Sequence, residues 1–152
     1  MDIHDDKVMV ALLPIFSDGM QIDYPHLTLC YAGKKSDLPS SSLDQLAKAT
    51  ASFAVFCRPV TLRTLTKSVF GEGTLDSPKV DVLQFHPNLD LAKMRSMVQE
   101  WDVSKFPFNP HMTLGPEGSW QGMPPSLVGF ERVAFCVGNE RQEFMMSRGA
   151  LV

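Results

Sequence analysis

Two nearly identical pentapeptides stand eighty-five residues apart in this chain: Pro25-His26-Leu27-Thr28-Leu29 and Pro110-His111-Met112-Thr113-Leu114. The chain has four histidines, so half of them occupy this one setting. In an extended strand, alternate side chains face the same way, about 6.6 to 7 Å apart. His26 and Thr28 therefore share a face, as do His111 and Thr113, while Leu27, Leu29, Met112 and Leu114 turn to the opposite one. If both strands border one cleft, two imidazoles can divide acid and base roles near neutral pH. One removes a proton from an attacking oxygen and the other delivers a proton to a leaving oxygen. The two threonine hydroxyls can donate to nonbridging phosphate oxygens as charge builds in a pentacoordinate transition state. This chemistry needs no metal and no organic cofactor.

The competing reading is packing. A histidine kept only as a core residue needs its ring nitrogens satisfied, and nothing obliges a threonine to accompany it on the same face. Two histidines also fall short of the three or four protein ligands usual for zinc, and only Cys30 stands near a supporting position. A metal site is therefore not expected.

The elements that must carry the motifs can be read around them. Lys7 to Leu13 (KVMVALL) reads as a strand ending at Pro14, Ile15 to Tyr24 as a connection, and His26 to Tyr31 as the first motif strand. Ser42 with Gln45 has the spacing of a capping box, and Leu43, Leu46, Ala47 and Thr50 follow with helical periodicity. From Phe53 to Phe70 the composition turns to Val, Phe, Thr and Leu, which predicts strand, with a turn at Gly71-Glu72-Gly73 and a further strand from Lys79 to Phe85. Asn88 is placed to cap a helix whose Leu91, Met94, Val98 and Trp101 share one face. Phe130 to Val137 and Glu143 to Ser147 predict a hairpin across Gly138 to Gln142. Many strands with two helices predict an α+β domain, the helices covering one side of antiparallel sheets.

Composition bounds the function. At 152 residues, with 44% hydrophobic and 20% charged residues, the chain suits one domain spanning 1–152. No apolar run approaches the roughly 18 residues of a membrane span, and the polar opening around His4 reads as a frayed terminus. Cys30, Cys57 and Cys136 are scattered and odd in number, so a reducing, cytoplasmic setting is expected. A net charge of −3 and a pI near 5.7 argue against long duplex nucleic acid. A small anionic ligand in a local pocket remains compatible with that balance.

The doubled H-x-T motif, with His26-Leu27-Thr28-Leu29-Cys30-Tyr31-Ala32-Gly33 and Pro110-His111-Met112-Thr113-Leu114, resembles the 2H phosphoesterases. The leading strand Val8 to Pro14 and the Val69-Phe70-Gly71 segment add weaker support, and together these segments span most of the chain from about residue 7 to residue 147. The resemblance implies a bilobal fold, two antiparallel sheets lining a central cleft with helices packed outside, and one H-x-T motif per pseudo-symmetric lobe. It implies metal-independent action on a phosphodiester of a small cyclic or 2′-5′-linked nucleotide or short RNA end, a 2′,3′-cyclic phosphate or a cyclic oligonucleotide signal. His26 and His111 become the catalytic candidates and Thr28 and Thr113 the phosphate-binding ones, with acid and base unassigned. A 2′-5′ RNA ligase or RNA-end processing enzyme is the nearest alternative, and a noncatalytic nucleotide-binding module another.

Three aromatic residues are secondary candidates for substrate binding. Tyr31 lies in the motif run, but strand parity puts it on the apolar face. Phe70 could line a base pocket or pack as an ordinary strand aromatic. Trp120, in a Gly- and Pro-rich loop, could stack a base or simply anchor that loop. Glu140 and Arg141 are expected to be solvated turn charges, and His86, lacking a threonine partner, to end a strand.

Overall fold

The computed structural model describes residues 6–15, 25–104 and 107–146. The sequence expectations for His4, for most of the Ile15 to Tyr24 connection and for Ser147 fall outside them.

Among the described residues, seven strands and two α-helices follow in the order β1 (Lys7–Pro14), β2 (Leu27–Lys34), α1 (Ser40–Phe56), β3 (Val60–Phe70), β4 (Val80–Phe85), α2 (Leu89–Ser96), β5 (His111–Pro116), β6 (Leu127–Val137) and β7 (Glu140–Met145). This is an α+β fold with every strand pair antiparallel. The run Val8 to Leu13 is apolar throughout because β1 is central, flanked by β2 and β6 and buried on both faces. Val8, Val10 and Leu12 join the main core, while Met9 and Leu13 pack with Ala134 and Cys136 in a smaller cluster on the other side.

The two antiparallel sheets expected from the sequence are joined into one. Strand pairing runs β1-β2-β5-β4-β3-β6 and closes from β6 back to β1, with β7 added outside β6. The physical reason is the length of β6. Its Leu127–Phe130 segment pairs with β3, and its Arg132–Val137 segment pairs with β7 while also lying along β1. One long strand thus serves both halves. The circuit is thinnest between β2 and β5, where Leu27 and Met112 form a single bridging pair.

The helices differ from expectation in detail. α1 begins at Ser40 with Pro39 in the capping position and no side-chain cap, so Ser42 lies inside the first turn and the Ser42–Gln45 box does not form. Its early amide N–H groups are met instead by the Pro39 carbonyl, which accepts from Ser42 at 3.0 Å and from Leu43 at 3.2 Å. The helix also runs on through Phe53 and Ala54, which it buries in the core along with Leu46 and Thr50. The apolar stripe therefore overrides the β preference of the Phe53–Phe56 stretch. α2 starts as predicted: the Asn88 side chain accepts from the Leu91 N–H at 3.0 Å. Leu91, Met94 and Val98 are buried, with Trp101 packed partly against them.

Candidate active site

Leu27 and Met112, the central residues of the two motifs, pair across β2 and β5 and are both fully buried. Because they point into the core, their neighbours in each strand point to the other face. Carrying the antiparallel register one residue either way sets Thr28 against His111 and His26 against Thr113. Directly opposed side chains on one face have Cβ atoms about 4.5 to 5.5 Å apart, and diagonal neighbours about 7 to 8 Å. The Leu27–Met112 pair thus sets the two motif strands side by side and antiparallel.

A cleft of about 760 Å3 opens at this junction. Among the sequence candidates, Thr28, Tyr31, Phe70 and His111 line it. His26 and Thr113 are not among its lining residues.

The His111 ring is oriented from both sides. Its Nδ1 lies 2.7 Å from the Asn109 carbonyl oxygen. A carbonyl only accepts, so Nδ1 must carry the hydrogen, and Nε2 is left as the nitrogen that can take or give a proton. Phe70 holds the ring from the side, with centroids 4.9 Å apart and planes at 61°. Asn109 is fixed in turn by Gln84 Nε2 at 3.5 Å from its Oδ1, and Gln84 Oε1 accepts from the Ser68 hydroxyl at 2.6 Å. On the first motif, the Thr28 hydroxyl rests against Met9 Sδ at 3.9 Å, a weak acceptor that leaves the hydroxyl available to a stronger one.

Tyr31 departs from the parity argument. Against β1, Ala11 pairs with Thr28 but Val10 pairs with Cys30, so Leu29 is an extra residue in β2. This β-bulge shifts the alternation by one, and Leu29 and Cys30 are both buried in the core. Thr28 and Tyr31, three residues apart, then reach the same cleft. Trp120 departs in the other direction. It packs partly against the main core and is not among the cleft-lining side chains. Its backbone N–H donates to Asp81 Oδ2 at 3.2 Å, beside that of Gly118 at 3.0 Å. These two N–H groups, more than the Lys67 ammonium, hold the Asp81 carboxyl below its ordinary range although burial opposes them. The loop is thus anchored through Asp81 and the core.

Arg95, Asp102, Ser104 and Phe108 also line the cleft and were not singled out from the sequence. Asp102 accepts from the Ser104 hydroxyl at 2.6 Å and lies 3.1 Å from Arg95 Nη2. Burial raises the Asp102 carboxyl, but the Ser104 hydroxyl, the Tyr31 N–H and Arg95 together outweigh it and leave the carboxyl below its ordinary value. The only sequence signal was the polar and aromatic run before Pro110.

Cys30 is buried, and desolvation, aided by the charge of Asp102 and opposed by Arg95, pushes its thiol up to about 12. It stands as a neutral core side chain, unsuited to metal ligation or nucleophilic attack. Among the described residues no three His, Cys, Asp or Glu side chains gather as a metal site. His86 closes β4 by donating its backbone N–H to the Arg63 carbonyl, and Glu140 and Arg141 sit exposed on the β6–β7 hairpin, away from the cleft-lining side chains.

No protein-family model matches the chain. No curated protein matches it either. Solved structures do. A crystal structure of a phosphoesterase superposes with a TM-score of 0.56 at 17% identity, covering 92% of this chain and 95% of that one. E. coli LigT in complex with phosphate gives 0.53 at 16% identity, over 92% and 98% of the two chains. Usb1 of Kluyveromyces marxianus gives 0.59 at 10% identity, over 93% and 98%. At these identities the likeness is one of architecture, and over nearly its whole length the chain has the fold of these proteins.

Proposed function

We propose that the protein is a metal-independent phosphodiesterase that hydrolyses a small nucleotide with a 2′,3′-cyclic or 2′-5′-linked phosphate. The observation that supports this reading is the Leu27–Met112 pairing of the two motif strands, with Thr28 of one motif and His111 of the other lining the same cleft. In the proposed reaction one neutral imidazole takes a proton from water as its oxygen attacks phosphorus. The bond from phosphorus to the leaving ribose oxygen breaks, and the protonated partner imidazole gives that oxygen a proton. Thr28 and Thr113 donate to the nonbridging oxygens. His111 acts through Nε2 in either role, since its Nδ1–H is held by the Asn109 carbonyl. His26 takes the complementary role.

The cleft falls within the range of about 300 to 1,000 Å3 for small-ligand sites, and its aromatic wall of Tyr31, Phe70 and Phe108 suits a nucleobase. LigT, which shares the fold, has been crystallised with phosphate and with 3′-AMP, in keeping with a nucleotide phosphate as ligand. Cys30, Cys57 and Cys136 are all buried thiols outside any disulfide, in keeping with a reducing, cytoplasmic setting. Among the described residues no helix is long and apolar enough to cross a membrane.

Purified protein is expected to hydrolyse a 2′,3′-cyclic mononucleotide or a 2′-5′-linked dinucleotide in the presence of EDTA, and His26→Ala or His111→Ala to lose that activity. Turnover that survives both substitutions would remove the two-histidine mechanism. Tight nucleotide binding without product would favour a binding module, and joining of RNA ends would favour a ligase.

A further inference from the structure

Beyond Leu27 and Met112, β2 and β5 part, and the backbone groups of β2 that β5 no longer meets need other partners. The α2-to-β5 segment supplies them. Arg95 Nη1 donates to the Leu29 carbonyl at 2.5 Å, the Tyr31 N–H donates to Asp102 Oδ1 at 2.9 Å, and the Val103 N–H donates to the Tyr31 carbonyl at 2.9 Å. Arg95 and Asp102 are tied to each other at 3.1 Å and largely shielded from water, with side-chain exposures of 15% and 9%. Phe108 lies under the guanidinium, its ring centroid 5.3 Å from Cζ. Two side chains and one amide thus stand in for the missing neighbouring strand.

The groups they hold belong to the bulge. Leu29 is the inserted residue of β2 and Tyr31 is the next residue to face the cleft. A bulge leaves a ladder position unpaired and persists where something fixes it. In a regular strand Thr28 and Tyr31 would point to opposite faces.

We propose that Arg95 and Asp102 are positioning residues for phosphodiester cleavage: by completing the free edge of β2 they hold the Leu29 bulge and so aim both the Thr28 hydroxyl and the Tyr31 ring into the cleft. The catalytic part of this proposal rests on the phosphodiesterase reading. Asp102 acts through Thr28, so its effect on turnover should depend on Thr28 being present.

A double-mutant cycle tests this on a 2′,3′-cyclic mononucleotide. Asp102→Ala is expected to lower kcat by about tenfold or more in the wild-type background and by less than about twofold in the Thr28→Ala background. Asp102→Asn keeps an acceptor for the Tyr31 N–H and is expected to regain most of the lost kcat. Equal losses in both backgrounds, or Asp102→Asn as damaging as Asp102→Ala, would overturn the proposal. Amide hydrogen exchange supplies an arm independent of turnover. Asp102→Ala and Asp102→Asn are compared with the wild type at Tyr31, with Val10 of β1 as the internal reference. Faster exchange at Tyr31 in Asp102→Ala, with Val10 unchanged and Asp102→Asn close to wild type, is expected. An unchanged Tyr31 amide would overturn the positioning role. A wild-type protein that cleaves no phosphodiester would instead overturn the function, leaving the exchange result to judge the bulge.

Discussion

Phe70 meets the His111 imidazole edge to face, 4.9 Å between centroids, from a different strand and across the cleft wall. Such pairs contribute about 0.5 to 1.5 kcal/mol beyond their buried area. With the Asn109 carbonyl fixing Nδ1, Phe70 limits the remaining freedom of the ring. Phe70→Ala is expected to lower kcat/KM by about two- to tenfold, while Phe70→Tyr, which keeps the ring, stays near wild type. Steady-state kinetics on a 2′,3′-cyclic mononucleotide checks both.

Trp120 should be separable from catalysis. Its indole packs on the core side, and Nε1 is buried without a protein hydrogen-bond partner among the described residues. Trp120→Phe keeps the apolar ring and is expected to leave KM unchanged. A several-fold rise in KM would return Trp120 to the substrate site.

The acid limb of stability should carry the marks of Asp81 and Asp102. Both carboxyls are lowered in the folded protein from the ordinary value of 3.8. Each therefore contributes stability in full above that value and loses it as pH falls through the lower folded value. Urea midpoints measured from neutral pH downward should fall on acidification. In Asp81→Asn the neutral midpoint should be lower and the fall on acidification smaller.

Asn88 provides a check on α2, the helix that carries Arg95. Its side chain accepts from the Leu91 N–H at 3.0 Å. Asn88→Ala is expected to cost about 1 kcal/mol by urea denaturation, and Asn88→Asp much less.

Gly71 closes β3 at the cleft mouth with φ of 109°, and a Cβ there would meet the Pro78 carbonyl oxygen at a separation of only 2.1 Å. Gly71→Ala is expected to displace the Gly71–Pro78 loop and raise KM for the same substrate. Stability should fall by about 1 to 3 kcal/mol.

Much of this arrangement was legible in the sequence because it depends on local rules. The H-x-T spacing fixes which residues share a face, the Asn88 cap with Leu91 and Met94 fixes α2, which ends at Ser96 before Val98 and Trp101, and the apolar run before Pro14 marks a buried strand. What escaped depends on contacts between distant segments. Nothing within HLTLCY announces an extra residue at Leu29, so parity misplaced Tyr31; the bulge exists in relation to β1 and is held by Arg95 and Asp102. Likewise the β-branched and aromatic residues near Phe56 favour strand locally, yet the helix continues because Phe53 and Ala54 have a core to fill. The merging of two sheets rests on β6 being long enough to touch both halves, a property of assembly that pattern reading does not reach.

The closed circuit of strands has a mechanical consequence for catalysis. A seam stitched at one point cannot by itself set the span between His26 and His111; that span depends on the rest of the ring, the four-residue join of Val60–Arg63 to Leu127–Phe130 included. In the proposed reaction, substitutions at Val60 or Phe130 would then alter turnover by changing how far the two imidazoles stand apart.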